Sequence, residues 1–308
     1  MTHLKRGFTL IELSIVLVII GLIVGGILTG QTLIAAAGVR AQIAQIEKYN
    51  TAANTFYTKY GYLPGDIPAA PAAQFGFASR GTHAGEGDGD GEICGVYQDA
   101  DNSLGDGGTT GETAMFWVDL STAHLIDGGF SMASSTQPYV YSYTGPTMVA
   151  PFMPAAKIGG NSFIFVWCAD AYDATPLWVP AGKNFFDLSG VVNIGEGQNF
   201  TTTTLTPNQA YAIDSKIDDG FPQSGTVVAL VINTEIGAEA WAAGGGGTNQ
   251  GASTGYPNDN PTTASTAPSA TTCYDNRSTA GQKQQYSLTY NGGNNPNCGL
   301  SFKMQAGD

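Results

Sequence analysis

FTLIELSIVLVIIGLIVGGIL, residues 8–28, carries one charged side chain, Glu12, in 21 positions. As a helix this stretch is about 31 Å long at ~1.5 Å per residue, matching the ~30 Å hydrocarbon core of a bilayer. It can therefore cross a membrane once. Lys5 and Arg6 precede it and no basic residue follows until Arg40, so the positive-inside bias places the N-terminus in the cytoplasm and exports everything after about Thr29.

Three readings of this segment compete: a simple signal anchor, a cleaved secretory peptide with Ala35-Ala36-Ala37 as its small-residue site, and a helix that leaves the membrane to join a polymer. Length counts against the secretory reading, because the h-region of a signal peptide is ~7–15 residues. Glu12 counts against it too. A carboxylate in a membrane segment costs up to about 2.5–3.5 kcal/mol, and its presence marks a functional site that needs a cationic partner.

Lys5-Arg6-Gly7 followed by FTLIELSIVLVIIGLI resembles the prepilin signal of the type IV pilin and type II secretion pseudopilin superfamily. The resemblance implies that a prepilin peptidase cuts after Gly7 and that the new N-terminal residue, Phe8, is methylated. It also makes Glu12 the assembly residue. In the apolar core of a filament its carboxylate would neutralise the α-amine of a neighbouring subunit, so that a charge costly alone in lipid becomes a register device when paired.

The helical pattern continues past the membrane. Ile43, Ile46, Tyr49, Ala53, Phe56 and Tyr60 recur at steps of three or four, and no proline occurs before Pro64. One helix from Phe8 to Tyr60 is expected, roughly 80 Å long. Its first half is apolar all round and should protrude; its second half has one apolar face and should pack on a head. Gly21, Gly25, Gly26 and Gly30 weaken the first half by about 1 kcal/mol each relative to alanine. They serve either close helix packing or local unwinding.

After KYGYLPGDIP the chain changes to short apolar runs broken by Gly, Pro, Asn and Asp. Strands are expected at 139–143, 162–168, 190–194, 226–232, 286–290 and 300–304, spaced for an antiparallel sheet rather than parallel crossovers. Two shorter helices are expected, 112–123 and 207–219, the second with Thr206 as cap, Pro207 at its first position and Gly220 as stop. The expected organisation is a leader (1–7), a transmembrane and polymerisation helix (8–60) and an exported α+β, pilin-like head (61–308). Composition marks 244–272, almost wholly Gly, Ser, Thr, Asn, Ala and Pro, as an exposed insertion. YGYLPGDIP, ETAMFWVDLSTAHLIDGG and LTPNQAYAIDSKIDDGFPQSGTV are similar to segments of a large group of pilin-like bacterial proteins, which implies one head domain continuous to residue 308 and identifies no enzyme activity.

Of the 308 residues only 12% are charged, about half the usual ~25%, and the formal charge is −13. Phosphate binding needs clustered Lys and Arg, so nucleic acid is not an expected partner. Residues 61–308 hold 23 acidic and 7 basic side chains, which makes the acidity a property of the head. Its most pointed segment is EGDGDGEICGVY, residues 86–97. Against the EF-hand pattern it sets Glu86, Asp88 and Asp90 at alternate positions, Gly91 at the sharp turn and the Glu92 carbonyl at the backbone-ligand position. Such carboxylates can converge on a hard cation, Ca2+ above all. Tyr97 replaces the final bidentate Glu, so Asp99, Asp101 or Glu112 would have to complete the shell. The competing reading is a solvated acidic turn. A second cluster, Asp214, Asp218 and Asp219, lies at a helix C-terminus, where negative charge is unfavourable. Donors from neighbouring turns are the favoured compensation there, ahead of a metal.

Four cysteines on the exported side allow three disulfide pairings. Cys273 with Cys298 is the expected local pair, closing a C-terminal loop like the one many pilins carry, and Cys94 with Cys168 follows. No spacing suits zinc. His83 and His124 form no nucleophilic constellation, and no pair of carboxylates stands out as a glycosidase acid pair. The chain reads as a structural subunit of a pilus or secretion pseudopilus with no catalytic residues. The alternative is a secreted or membrane-anchored calcium-dependent binding protein that does not polymerise.

Overall fold

The computed structural model describes residues 9–80, 87–93, 111–133, 143–168, 184–195, 198–229 and 265–307. Gly7, Phe8, Glu86, Cys94, Asp99 and Asp101 lie outside these residues. So does the expected strand 139–143 up to its last residue, and most of 244–272.

Helix α1 (Leu10–Tyr60) runs 51 residues without a break, about 77 Å. Thr9 opens it with a capping box: its side chain accepts from the Glu12 N–H, and the Glu12 carboxylate accepts from the Thr9 N–H. Gly61 closes it in the left-handed region at φ 79°, donating to Tyr57 O at 2.8 Å. The expected two halves are both present. Every large apolar side chain from Leu10 to Ile34 is at least 48% exposed, whereas Val39, Ile46, Tyr49, Ala53 and Phe56 are buried.

The head adds α2 (Ala69–Phe75), α3 (Gly111–Thr122), α4 (Pro146–Val149) and α5 (Pro207–Ile217) to an antiparallel sheet. Its strands are β1 (Tyr143–Thr144), β2 (Ser162–Cys168), β3 (Asn184–Gly195), β4 (Gln198–Thr202), β5 (Val227–Val228) and β8 (Leu300–Lys303). Strand β3 is the hub: it pairs with β1, β2, β4 and β8, and β5 adds to β8. A separate hairpin joins β6 (Tyr274–Asp275) to β7 (Gln285–Tyr286). This long helix on an antiparallel sheet is a pilin-like α+β fold.

One face of the sheet meets the helices through Phe186, whose ring lies 6.3 Å from Tyr49 of α1 and 5.8 Å from Phe116 of α3. Buried amides then set the register of α1 on the head. Gln45 donates to Ala155 O at 2.9 Å and accepts from Lys157 N at 2.8 Å. Gln42 accepts from Ile158 N, and Asn50 from Gln305 N. Each bond gives a buried side-chain amide of α1 a backbone partner in the head, so a one-turn slip of the helix would leave these amides unpaired.

Strands 162–168 and 300–304 and both short helices form close to their expected bounds; α5 has the Thr206 cap and Pro207 start. The expected strand 286–290 stops at Tyr286, where Leu288 N turns back onto Tyr286 O at 2.9 Å, and 290–293 form a short 3-10 turn in which Asn291 and Gly292 take left-handed φ of 48° and 62°. Strand β3 begins at Asn184, earlier than expected, since Asp187 and Ser189 interrupt its apolar run yet are buried. Thr266 and Thr272, assigned to the insertion by composition, are buried too. Thr266 accepts from Asn276 N, and Thr272 accepts from Ser269 N, which builds this end of the stretch into the hairpin. Cys273 and Cys298 form the expected disulfide, with an S–S distance of 1.98 Å. The companion pairing of Cys94 lies outside the described residues.

Candidate functional site: the N-terminal helix and the acidic turn

The first half of α1 keeps its polar groups to itself. Ser14, Thr29 and Thr32 hydroxyls donate to Ile11, Gly25 and Thr29 carbonyls. Thr9 donates to Glu12 Oε2 from both its N–H (2.9 Å) and its hydroxyl (2.8 Å). The carboxylate expected to serve assembly is thus held at the helix start by its own chain. A Cβ built on Gly21, Gly25, Gly26 or Gly30 would meet nothing within 4 Å, so these glycines make room for no neighbour within the subunit. The apolar surface of Leu10–Ile34 is far larger than a soluble monomer exposes. This helix is long and apolar enough to cross a membrane.

The second candidate lies where three segments meet. Asp66 from the turn after α1, Asp88 from the acidic turn and Glu112 from α3 each place a carboxylate oxygen within 4.8 Å of the others. Asp66 and Glu112 are buried while Asp88 is exposed. The acidic turn brings one carboxylate, Asp88, to the cluster and leaves it exposed. Its glycines do the inward work: Gly89 and Gly91 N–H groups donate to Asp66 at 2.7 and 3.1 Å, and Gly87 N–H donates to Glu112 Oε1 at 2.7 Å. A side chain at Gly87 would strike Ile67 O at 2.8 Å, and one at Gly89 would crowd Tyr62, so both positions require glycine on steric grounds as well as for their positive φ.

Asn184 clamps the far end of the turn, accepting from Ile93 N at 2.7 Å and donating to Gly91 O at 2.9 Å. Burial is the main reason the Asp66 carboxyl is pushed up to about 7; Asp90 and Asp88 add to it, against the two glycine donors. Of the acids expected to ligate, Asp88 joins the cluster. Asp90 accepts from Glu92 N at 2.8 Å, and its carboxylate is not one of the three. Glu112, expected as a remote completing group, is a full member.

Asp66 was not legible as a member, since a lone Asp in a PGD turn reads as turn chemistry. A neighbouring ion pair carries no sequence motif either. Arg80 and Asp119 meet at 2.6 Å with side chains 1% and 0% exposed, and Asp119 also accepts from Gly65 N at 2.8 Å. The available signal was scarcity: Arg80 is one of few cations in an acidic head. The second expected cluster is held by turns. Asp218 accepts from Thr226 and Val227 N–H groups, and Asp219 from Phe221 N and Ser224 Oγ. His124 is exposed at the left-handed position after α3, φ 57°, which fits its expected capping or surface role.

Residues 2–28 match the family model for the prokaryotic N-terminal methylation motif, the prepilin-type signal of type IV pilins and pseudopilins. The protein therefore carries a prepilin-type signal at the start of a pilin-like α+β fold. Comparison with curated proteins and with solved structures finds no match.

Proposed function

We propose that the chain is a structural subunit of a type IV pilus or type II secretion pseudopilus, cut by a prepilin peptidase after Gly7 and assembled through its N-terminal helix with other pilin subunits. The observation that carries this reading is the continuity of the methylation motif with a helix whose apolar half is exposed and packs on none of the described residues of the head. In this reading residues 1–7 are the leader, 8–60 the membrane and polymerisation helix, and 61–308 the head, which faces the periplasm before assembly and the outside of the filament after it. The role is architectural rather than catalytic. Mass spectrometry of the mature N-terminus tests it. N-methylated Phe8 is expected; a chain starting at Met1 overturns it in favour of a simple anchor, and one starting at Gly38 in favour of a secreted protein.

A second reading concerns the acidic turn. Asp66, Asp88 and Glu112 supply the hard oxygen donors that Ca2+ prefers, from three segments of the chain. Calcium bound there would cross-brace the turn after α1, the 87–93 turn and α3. Calorimetric titration should give a saturable heat together with a raised melting temperature, and Asp88→Asn should weaken both. Absence of heat and of any thermal shift would leave a hydrogen-bonded acidic turn.

A further inference from the structure

The second half of α1 has a side that the head does not use. Ile46, Tyr49 and Ala53 are buried against the head, while Arg40, Ala44, Glu47, Thr51 and Thr58 on the opposite side are exposed. An open groove of about 440 Å³ lies on this side, lined by Thr51, Asn54, Thr55, Thr58 and Lys59. Covering it strands no hydroxyl, because Thr51, Thr55 and Thr58 donate to the Glu47, Thr51 and Asn54 carbonyls of their own helix.

Two charges stand on it unmatched. Lys48 pairs with Asp127 of the head, and Lys59 lies over the Tyr60 ring at 4.8 Å. Arg40 and Glu47 form no ion pair among the described residues. They are seven residues apart, about 10.5 Å along the axis, which puts them on one side of the helix but not beside each other. The same interval of seven separates Gly30, Ala37, Ala44, Thr51 and Thr58. Parallel helices wind around each other on a seven-residue repeat, and small side chains let their backbones approach closely.

We propose that this side of α1 seats a second, parallel copy of the chain shifted by seven residues, so that Arg40 of one copy pairs with Glu47 of the next. The inference rests on the reading of the chain as a filament subunit and extends its contact surface from the apolar half up to Thr58. A shift of seven places each member of the small-residue ridge beside its equivalent one repeat away. Two copies in register would instead set Arg40 against Arg40 and Glu47 against Glu47. Under the positive-inside bias Lys5 and Arg6 orient every copy alike, which leaves no antiparallel solution.

The contact also propagates. A translation does not close on itself: Arg40 faces one neighbour and Glu47 the other, the head-to-tail geometry that builds an open filament. Charge favours the helix as the place for it. Residues 61–308 hold 23 acidic and 7 basic side chains, so heads brought together repel, whereas α1 offers one cation and one anion to the next subunit.

Cysteine cross-linking of the full-length chain in producing cells reads the shift directly. Arg40→Cys combined with Glu47→Cys should give a ladder of dimers and higher multimers on mild oxidation. Arg40→Cys combined with Asn54→Cys, two repeats apart, should give little, as should either cysteine alone. Charge reversal reads the pairing. Arg40→Glu and Glu47→Arg should each lower the yield of sheared filaments about tenfold, and the two together should restore it to within about threefold of wild type. Both side chains are exposed, so the melting temperatures should stay those of wild type. An equally strong ladder from the 40/54 pair or from a single cysteine, or a double reversal no better than the single ones, overturns the shift. Filaments that start at Phe8 yet give no 40/47 ladder overturn the shift alone; a chain that keeps Met1 and makes no filaments overturns the subunit reading, and the shift with it.

Discussion

Arg80→Ala should cost about 3–5 kcal/mol of stability, because it strips the partner from a carboxylate that has no other route to solvent. Arg80 spends its whole guanidinium inside the head. Nε donates to Ile67 O at 2.9 Å, Nη1 to Ala78 O at 3.1 Å and Nη2 to Asp119 at 2.6 Å. The substitution leaves Asp119 charged at 0% exposure, or forces it to take a proton, and orphans the buried Ile67 carbonyl as well. Even with Arg80 present, burial holds the Asp119 carboxyl above its ordinary value, which shows how little reserve the pair has.

The damage should also spread. The Arg80 methylenes lie 3.1 Å from where a side chain at Gly87 would sit, so the acidic turn rests on them, and Asp119 pins Gly65 beside Asp66. Arg80→Lys keeps the charge but not the planar fork, and should recover less than half of the loss. Denaturant unfolding followed by the fluorescence of buried Trp117 measures both variants. A loss below about 1 kcal/mol for Arg80→Ala would mean that the pair is dispensable, as exposed pairs are.

Glu12→Ala should abolish filaments, and Glu12→Gln should do the same for a more informative reason. In the subunit both Thr9 donors converge on Oε2, so the capping box engages one oxygen and leaves Oε1 for another chain. Glutamine can serve in a capping box as glutamate does. Glu12→Gln therefore keeps the helix start and removes only the charge, whereas Thr9→Ala removes the cap and keeps the charge. Pairing with the amine of a neighbour would offset the ~2.5–3.5 kcal/mol cost of a carboxylate in hydrocarbon, and none of that offset survives in the glutamine variant. Yields of sheared filaments should fall at least tenfold for Glu12→Gln and much less for Thr9→Ala. Normal filaments from Glu12→Gln would remove charge pairing as the assembly device.

Legibility followed the range of the interactions. α1 was readable to within two residues at its start because everything that makes it a helix is local: an apolar run, a three-four stripe, a cap residue and a closing glycine. α5 was readable for the same reason. Strand β3 was read only at its C-terminal end, since its buried Asp187 and Ser189 contradict the pattern of a core strand and are tolerated only because of what surrounds them. The acidic turn is marked by its alternation of acids and glycines, but its partners are not: the fold sets glycine N–H groups inward beside Asp88 and brings Asp66 and Glu112 to meet them from segments more than twenty residues away on either side.

By itself, then, the amino-acid order determined the prepilin-type signal, the single long helix with one half apolar all round, and the acidity of the head, because these depend on hydrophobicity and hydrogen bonding along a few consecutive turns of chain. Only the tertiary structure decided which charges are buried and with whom: Arg80 with Asp119, Asp66 with Glu112 and Asp88, Asp214 with Tyr286. A carboxylate in solvent and one in a dry pocket are the same letter in a sequence, and the energy that separates them comes from groups brought together by the fold.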